Sequence, residues 1–323
     1  MVAFNLPGEW RATGAYFLVC QYHFGTSRAA EYGPNYLHGI KVDMKKFSLS
    51  LCFAACMSVG SDATVAQVKS PAPAPLTAGH SAALHPWQVA GPPATNEVYF
   101  TDLVDGATIE TPYLVTFGLS GGWGIAPITQ PVAGKAGHHH LLINRDLPLD
   151  FNEALPFNDQ YVHFGKGQME SVLTLEPGAY SLRLLLANNK HLPYFVYSKP
   201  IKITVSKKNK STDPKSLVVK GIAFKNLPAD GKLGALFKLQ FHASGLNVAH
   251  LSQAEKDTGH FRLKATPAGG AKPAEIDFVN GQTEVWLSPP PGLYTLKLEF
   301  VDNANPGKLL TSAVSAPVRV LER

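Results

Sequence analysis

The chain has 323 residues and a formal net charge of +5, with 45% hydrophobic and 16% charged residues. This balance excludes a highly charged disordered chain, and no basic patch with interleaved aromatics marks a nucleic-acid surface. The three cysteines, Cys20, Cys52 and Cys56, all fall near the start, which leaves the rest of the chain without disulfides or thiolate metal sites.

Residues 1–43 show neither helical nor strand periodicity and read as a non-native extension ahead of Met44. From Met44, "MKKFSLSLCFAACMSVGSDATVAQ" has the basic start, apolar stretch and small residues of a secretory signal peptide, assigned to 44–66. Its apolar stretch is too short to span a bilayer, so the mature chain is expected to lack a transmembrane segment and to be periplasmic or secreted. Phe53-Ala54-Ala55 before Cys56 makes an imperfect lipidation box, and a lipid anchor on Cys56 is the alternative. The Pro- and Ala-rich run 67–94 reads as an extended tether.

The body carries short apolar runs punctuated by Gly, Pro, Asn and Asp: "YLVTFGL", "HLLIN", "YVHFG", "SVLTL", "YSLRLLLA", "IKITV". Such runs predict an all-β sandwich, and no window of helical length shows a 3.6-residue period. The body also repeats. "HFGKGQMESVLTLEPGAYSLRLLLANN" (163–189) lies over "DFVNGQTEVWLSPPPGLYTLKLEFVDN" (277–303) without a gap, and "GHHHLL" (137–142) lies over "GHFRLK" (259–264). Two tandem immunoglobulin-like β-sandwich domains are therefore expected, 95–206 and 215–323, joined by a charged linker at 207–214.

The second copy acts as a control for the histidines of the first. In "HFRLKA", Phe261, Leu263 and Ala265 should face the core, and His260, Arg262 and Lys264 should face out. Transferring that phase puts His139, Leu141 and Ile143 inward, and His138 and His140 outward. Likewise Val162 and Phe164 should point in and His163 out, so that His140 corresponds to Arg262 and His163 to Asp277. His191, whose counterpart is Asn305, sits in the loop after the last long strand. His138, His140, His163 and His191 are thus candidate ligands for copper or zinc, with acids of the insert 144–160 as a further source. Binding should weaken as pH falls through the histidine range. His139 is expected to be a core residue bonded to a backbone carbonyl.

"GHHHLLIN", "HFGKGQMESVLTLEPGAYSLRLLLANNKHLPY" and "VYFTDLVDGATIETPYLVTFGLSG" together resemble the domain-of-unknown-function family DUF4399 of exported bacterial proteins. The resemblance covers nearly all of the first copy. The second, lacking the histidine row and the "FGKG" turn, is expected to escape recognition by itself. The family implies a fold and the placement of the histidines, but no reaction.

No nucleophile elbow, phosphate loop or paired-carboxylate arrangement presents itself, which leans against an enzyme; no catalytic residue and no organic cofactor are assigned. The competing class is a non-catalytic envelope binding or adhesion module, partnered by a polymer or a protein, in which the histidines are structural.

Overall fold

The computed structural model describes residues 84–93, 98–147 and 149–322, all within one compact unit that spans Leu76–Arg323. The expected extension, the signal peptide and most of the tether lie outside the described residues. No helix among the described residues is long and apolar enough to cross a membrane.

The first copy folds as β1 (Val98–Phe100), β2 (Thr108–Thr111), β3 (Tyr113–Leu119), β4 (Gly124–Ile125), β5 (Ala136–Ile143), β6 (Tyr161–His163), β7 (Glu170–Leu173), β8 (Gly178–Ala187), β9 (Pro193–Tyr197) and β10 (Ile201–Lys208). Its small sheet runs β1-β3-β7. Its large sheet runs β2-β10-β8-β5-β4, with β6 also on β5 and β9 also on β8. A short 3-10 turn at Pro214–Leu217 leads into the second copy. That copy comprises β11 (Gly221–Phe224), β12 (Lys232–Leu233), β13 (Phe237–Ser244), β14 (Asn247–Val248), β15 (Thr258–Pro267), β16 (Ala274–Asp277), β17 (Glu284–Leu287), β18 (Gly292–Asp302) and β19 (Val314–Val320). Its sheets run β11-β13-β17 and β12-β19-β18-β15-β14, with β16 on β15. The two layouts correspond strand for strand except for β9, which only the first copy has.

The alternation seen in the sequence sets the inward faces. Phe261, Leu263 and Ala265 of β15 are buried in the core, while Arg262 and Lys264 are half-exposed. On β5, Leu141 and Ile143 join the same kind of core, and the His139 ring packs 5.5 Å from that of Phe117. Val162 packs against this core and Phe164 lies within it, as the transferred phase requires. Each fully buried Leu or Phe removes enough apolar surface to contribute about 1.5–3 kcal/mol.

The other face of β5 is not a solvent face, which corrects the outward reading of His138 and His140: both are fully buried. The insert after β5 folds back over this face. There Leu155 makes a second apolar cluster with Leu142, Leu185 and Ala187, flanked by Leu149, Phe151 and Tyr161. A strand pattern reports which side of a sheet a residue takes, not whether a long loop later covers that side.

The two sandwiches meet about an approximate two-fold axis. The Ile125 amide donates to the Gly281 carbonyl at 2.8 Å, and the amide of its counterpart Val248 donates to the carbonyl of Gly167, the counterpart of Gly281, at 2.9 Å. This is the self-complementary pattern of a two-fold interface, here within one chain. The leading segments cross over as well. The 3-10 turn ahead of the second copy lies against β3 and β7 of the first. Residues 84–93, from the run read as a tether, attach to β17 of the second: Val89 donates to Trp286 at 3.1 Å and Ser288 donates to Trp87 at 2.8 Å. Trp87 anchors this segment with its ring edge-on to Tyr294 at 5.7 Å.

Candidate metal centre

Four histidines from three parts of the first sandwich converge beneath the insert. His138 and His140 lie two apart on β5 and so share a face. The β5–β6 pairing sets His163 directly opposite His140. His191 comes from the turn after β8, where it adopts a left-handed φ of 63°, uncommon for a residue other than glycine. The Asn188 side chain holds that turn by accepting from the amides of Lys190 (2.8 Å) and Leu192 (3.1 Å). The insert braces it from above through the Leu155 amide, which donates to the His191 carbonyl at 3.0 Å.

The ring nitrogens, not merely the rings, approach one another. His138 Nε2 and His140 Nε2 lie 2.9 Å apart, and His163 Nε2 and His191 Nε2 lie 3.0 Å apart. Ligand atoms of His138, His163 and His191 all fall within 4.8 Å of one another. His140 touches the group through His138 and stands farthest from His191, with ring centres 5.8 Å apart. Nitrogens about 2.0–2.1 Å from a common ion are about 3.3 Å apart in a tetrahedron and about 2.9 Å apart along the side of a square. The His138–His140 and His163–His191 separations each suit neighbouring ligands of one ion, while the spread of up to 4.8 Å among His138, His163 and His191 would have to close around it.

Burial keeps these rings uncharged. His138 is pushed down to about 2, first by burial and then by the neighbouring imidazoles His140, His163, His191 and His139. His140 is pushed down to about 3 by burial, then by His163, His191 and His139. His163 is lowered by burial and His191, and His191 by burial. Neutral imidazoles are the ligating form, and His138 and His140 stay neutral well below the ordinary histidine range. That moves the expected acid weakening of metal binding to lower pH.

On the insert side Phe157, 63% exposed, lies edge-on to His163 at 5.1 Å and to His191 at 4.7 Å. The insert's acids contribute nothing to the group: Asp146 lies 3.9 Å from Arg183, and Asp150 accepts from the Asn152 amide. His191, and no carboxylate, lies with His138 and His163 in the group.

His139 stands apart. Its ring is wholly buried against Phe117, with the backbone of Gln168 and Gly118 as its polar neighbours, in line with the expected approach to a backbone carbonyl though short of good hydrogen-bond geometry. Burial pushes it down to about 4, against a smaller upward pull from the backbone of Gln168 and Gly118.

The second copy fills the corresponding place with charges. Arg262 lies opposite Asp277 in the same register and donates to it at 2.6 Å. His260, the counterpart of His138, sits 3.5 Å from Asp277 and shares a 2.6 Å hydrogen bond between Nδ1 and Asn303. Sequence reasoning missed two neighbours of the centre. Phe157 left no signal, because the insert is longer than its counterpart between β15 and β16. Gly165 did leave one, because its counterpart is Val279.

The family model described as "Domain of unknown function (DUF4399)" matches residues 115–206 and 239–320, together more than half of the chain. The second match corrects the expectation that the second copy had diverged beyond recognition. No curated protein matches the chain. Among solved structures, the chain is similar to the fibronectin(III)-like modules of Clostridium thermocellum CbhA, at 10% identity and a TM-score of 0.23, covering 69% of this chain and 92% of that one. It is also similar to a two-domain fibronectin type-III segment of chicken tenascin, at 12% identity and a TM-score of 0.20, covering 69% and 98%.

Proposed function

The chain belongs to the DUF4399 family, and we propose that it is an exported cell-envelope protein that binds one copper or zinc ion through His138, His140, His163 and His191. The observation that carries this reading is the convergence of four neutral imidazoles on one small volume, with two Nε2–Nε2 separations of 2.9 and 3.0 Å. A site built only of imidazole suits zinc and copper, whereas calcium and magnesium require oxygen ligands. At equal availability copper(II) binds such a set more tightly than zinc. A purely structural role is the second reading: the Nε2 atoms then pair as two hydrogen bonds, His138 with His140 and His163 with His191. Export rests on the residues from Met44 onward.

Titration of the purified protein with copper(II) and with zinc should saturate at one ion per chain. His191→Asn, which writes in the second copy's Asn305, should weaken binding at least tenfold. Absence of binding by the parent protein would refute the reading.

A further inference from the structure

We infer that the turn Phe164–Gly167 is a positioning device for the histidine centre, with Gly165 making room for one ligand and Gly167 tying it to the second sandwich. The inference rests on the metal reading above for its purpose, but not for its geometry. A methyl group at Gly165 would fall on Cε1 and Nε2 of His163, the edge of the ring that faces His191. The φ of Gly165 is not left-handed, so what glycine supplies here is space and not conformational freedom. The second copy supports this from the opposite side. With Asp277 in place of His163 there is no ring to accommodate, and Val279 stands where Gly165 would be.

Gly167 meets the other constraint. It is left-handed, with φ 93°, and its carbonyl accepts from the Val248 amide of the second sandwich at 2.9 Å. A methyl group there would strike the Val248 carbonyl. The turn is pinned on the first sandwich too, by the Ile128 amide donating to Gly165 (2.9 Å) and the Phe164 amide donating to His139 (3.1 Å). A short turn held at both glycines leaves His163 little freedom relative to β5. The second sandwich, whose own cluster is an ion pair, thereby serves the centre by gripping the strand end that carries one of its ligands.

The test uses the full chain, copper(II) and zinc as probes, and the visible and EPR spectra of the copper form. Gly165→Ala should bind copper at least tenfold more weakly and alter its spectrum, as expected when the support of a ligand is disturbed. Gly167→Ala should do likewise. Gly106→Ala, at a left-handed glycine (φ 78°) with open space around it, should leave affinity and spectrum unchanged while carrying similar backbone strain. A stability cycle reads the same geometry without metal: Gly165→Ala should lower the melting temperature of the parent by clearly more than that of a His163→Asp variant, which keeps only the milder 3.1 Å approach to Ile128. Parental affinity and spectrum in Gly165→Ala would overturn the role of Gly165. Loss of stability alone in Gly167→Ala would overturn that of the second sandwich. If the parent binds neither metal, the proposed function fails, and the cycle still decides whether Gly165 makes room for His163.

Discussion

His140 and His163 face each other across β5 and β6 at the register where Arg262 and Asp277 form an ion pair across β15 and β16. One backbone site in a duplicated fold thus holds either two neutral imidazoles or two opposite charges. The double variant His140→Arg, His163→Asp should therefore fold close to parental stability and bind no metal. His140→Arg alone places an unpaired guanidinium in a buried site and should cost about 3–5 kcal/mol. Chemical denaturation of the three proteins checks this, and equal stability of the single and double variants would contradict it.

The buried imidazoles also fix a pH dependence. Unfolded, each takes a proton near 6.5; folded, His138, His140 and His139 resist until about 2, 3 and 4. Between these limits the unfolded chain binds more protons, so stability falls as pH falls below about 6.5. At pH 5 each depressed histidine costs about 2 kcal/mol, and three approach the whole stability of a domain. Metal affinity should fall less steeply than stability over the same interval, because His138 and His140 remain neutral in the folded chain. Thermal melts and copper titrations at pH 7 and pH 5 should separate the two effects. A melting temperature that does not move would refute the depressed values.

The alternation of Phe261, Leu263 and Ala265 made the strand phase legible, and the gapless repeat carried it to the histidines. The correspondences of His140 with Arg262 and His163 with Asp277 follow from that, and both appear as paired positions in the fold. Burial was not legible, because the cover on the outer face of β5 comes from Leu155 and Phe157 in an insert longer than its counterpart in the second copy. Nor was the docking of the two copies. Its contacts run through backbone groups of Ile125, Gly167, Val248 and Gly281, and backbone hydrogen bonds leave little imprint on side-chain pattern.

Glu170 should bind the two sandwiches into one cooperative unit. Its carboxylate, from β7 of the first, lies 2.9 Å from His242 Nε2 and accepts from Ser244 Oγ and the Gly245 amide, all of the second, each at 2.9 Å. Burial raises its pKa, but these bonds outweigh that and leave it below the usual range. Glu170→Ala strands the donors in a buried interface and should cost about 2–4 kcal/mol. Calorimetry should show the single parental transition broadening or dividing. A sharp, unshifted transition would mean that these bonds contribute nothing.

His139 offers the cleanest separation of core from site. It occupies the position of Phe261, which lies wholly buried between Phe241 and Phe300 with ring centres 5.3 and 5.0 Å away. His139 instead keeps two buried nitrogens beside Phe117, whose polar neighbours, the backbone groups of Gln168 and Gly118, stand short of good hydrogen-bond geometry. Replacing a poorly satisfied buried polar group by an apolar one of similar shape is neutral to favourable, so His139→Phe should gain up to about 1 kcal/mol. The gain should grow as pH falls from 7 to 5, because the variant no longer has an imidazole that protonates only on unfolding. Copper affinity should not change, since the His139 ring lies on the opposite face of β5 from His138 and His140. Denaturation at the two pH values and one copper titration check all three statements. Loss of copper binding in His139→Phe would place His139 in the centre after all.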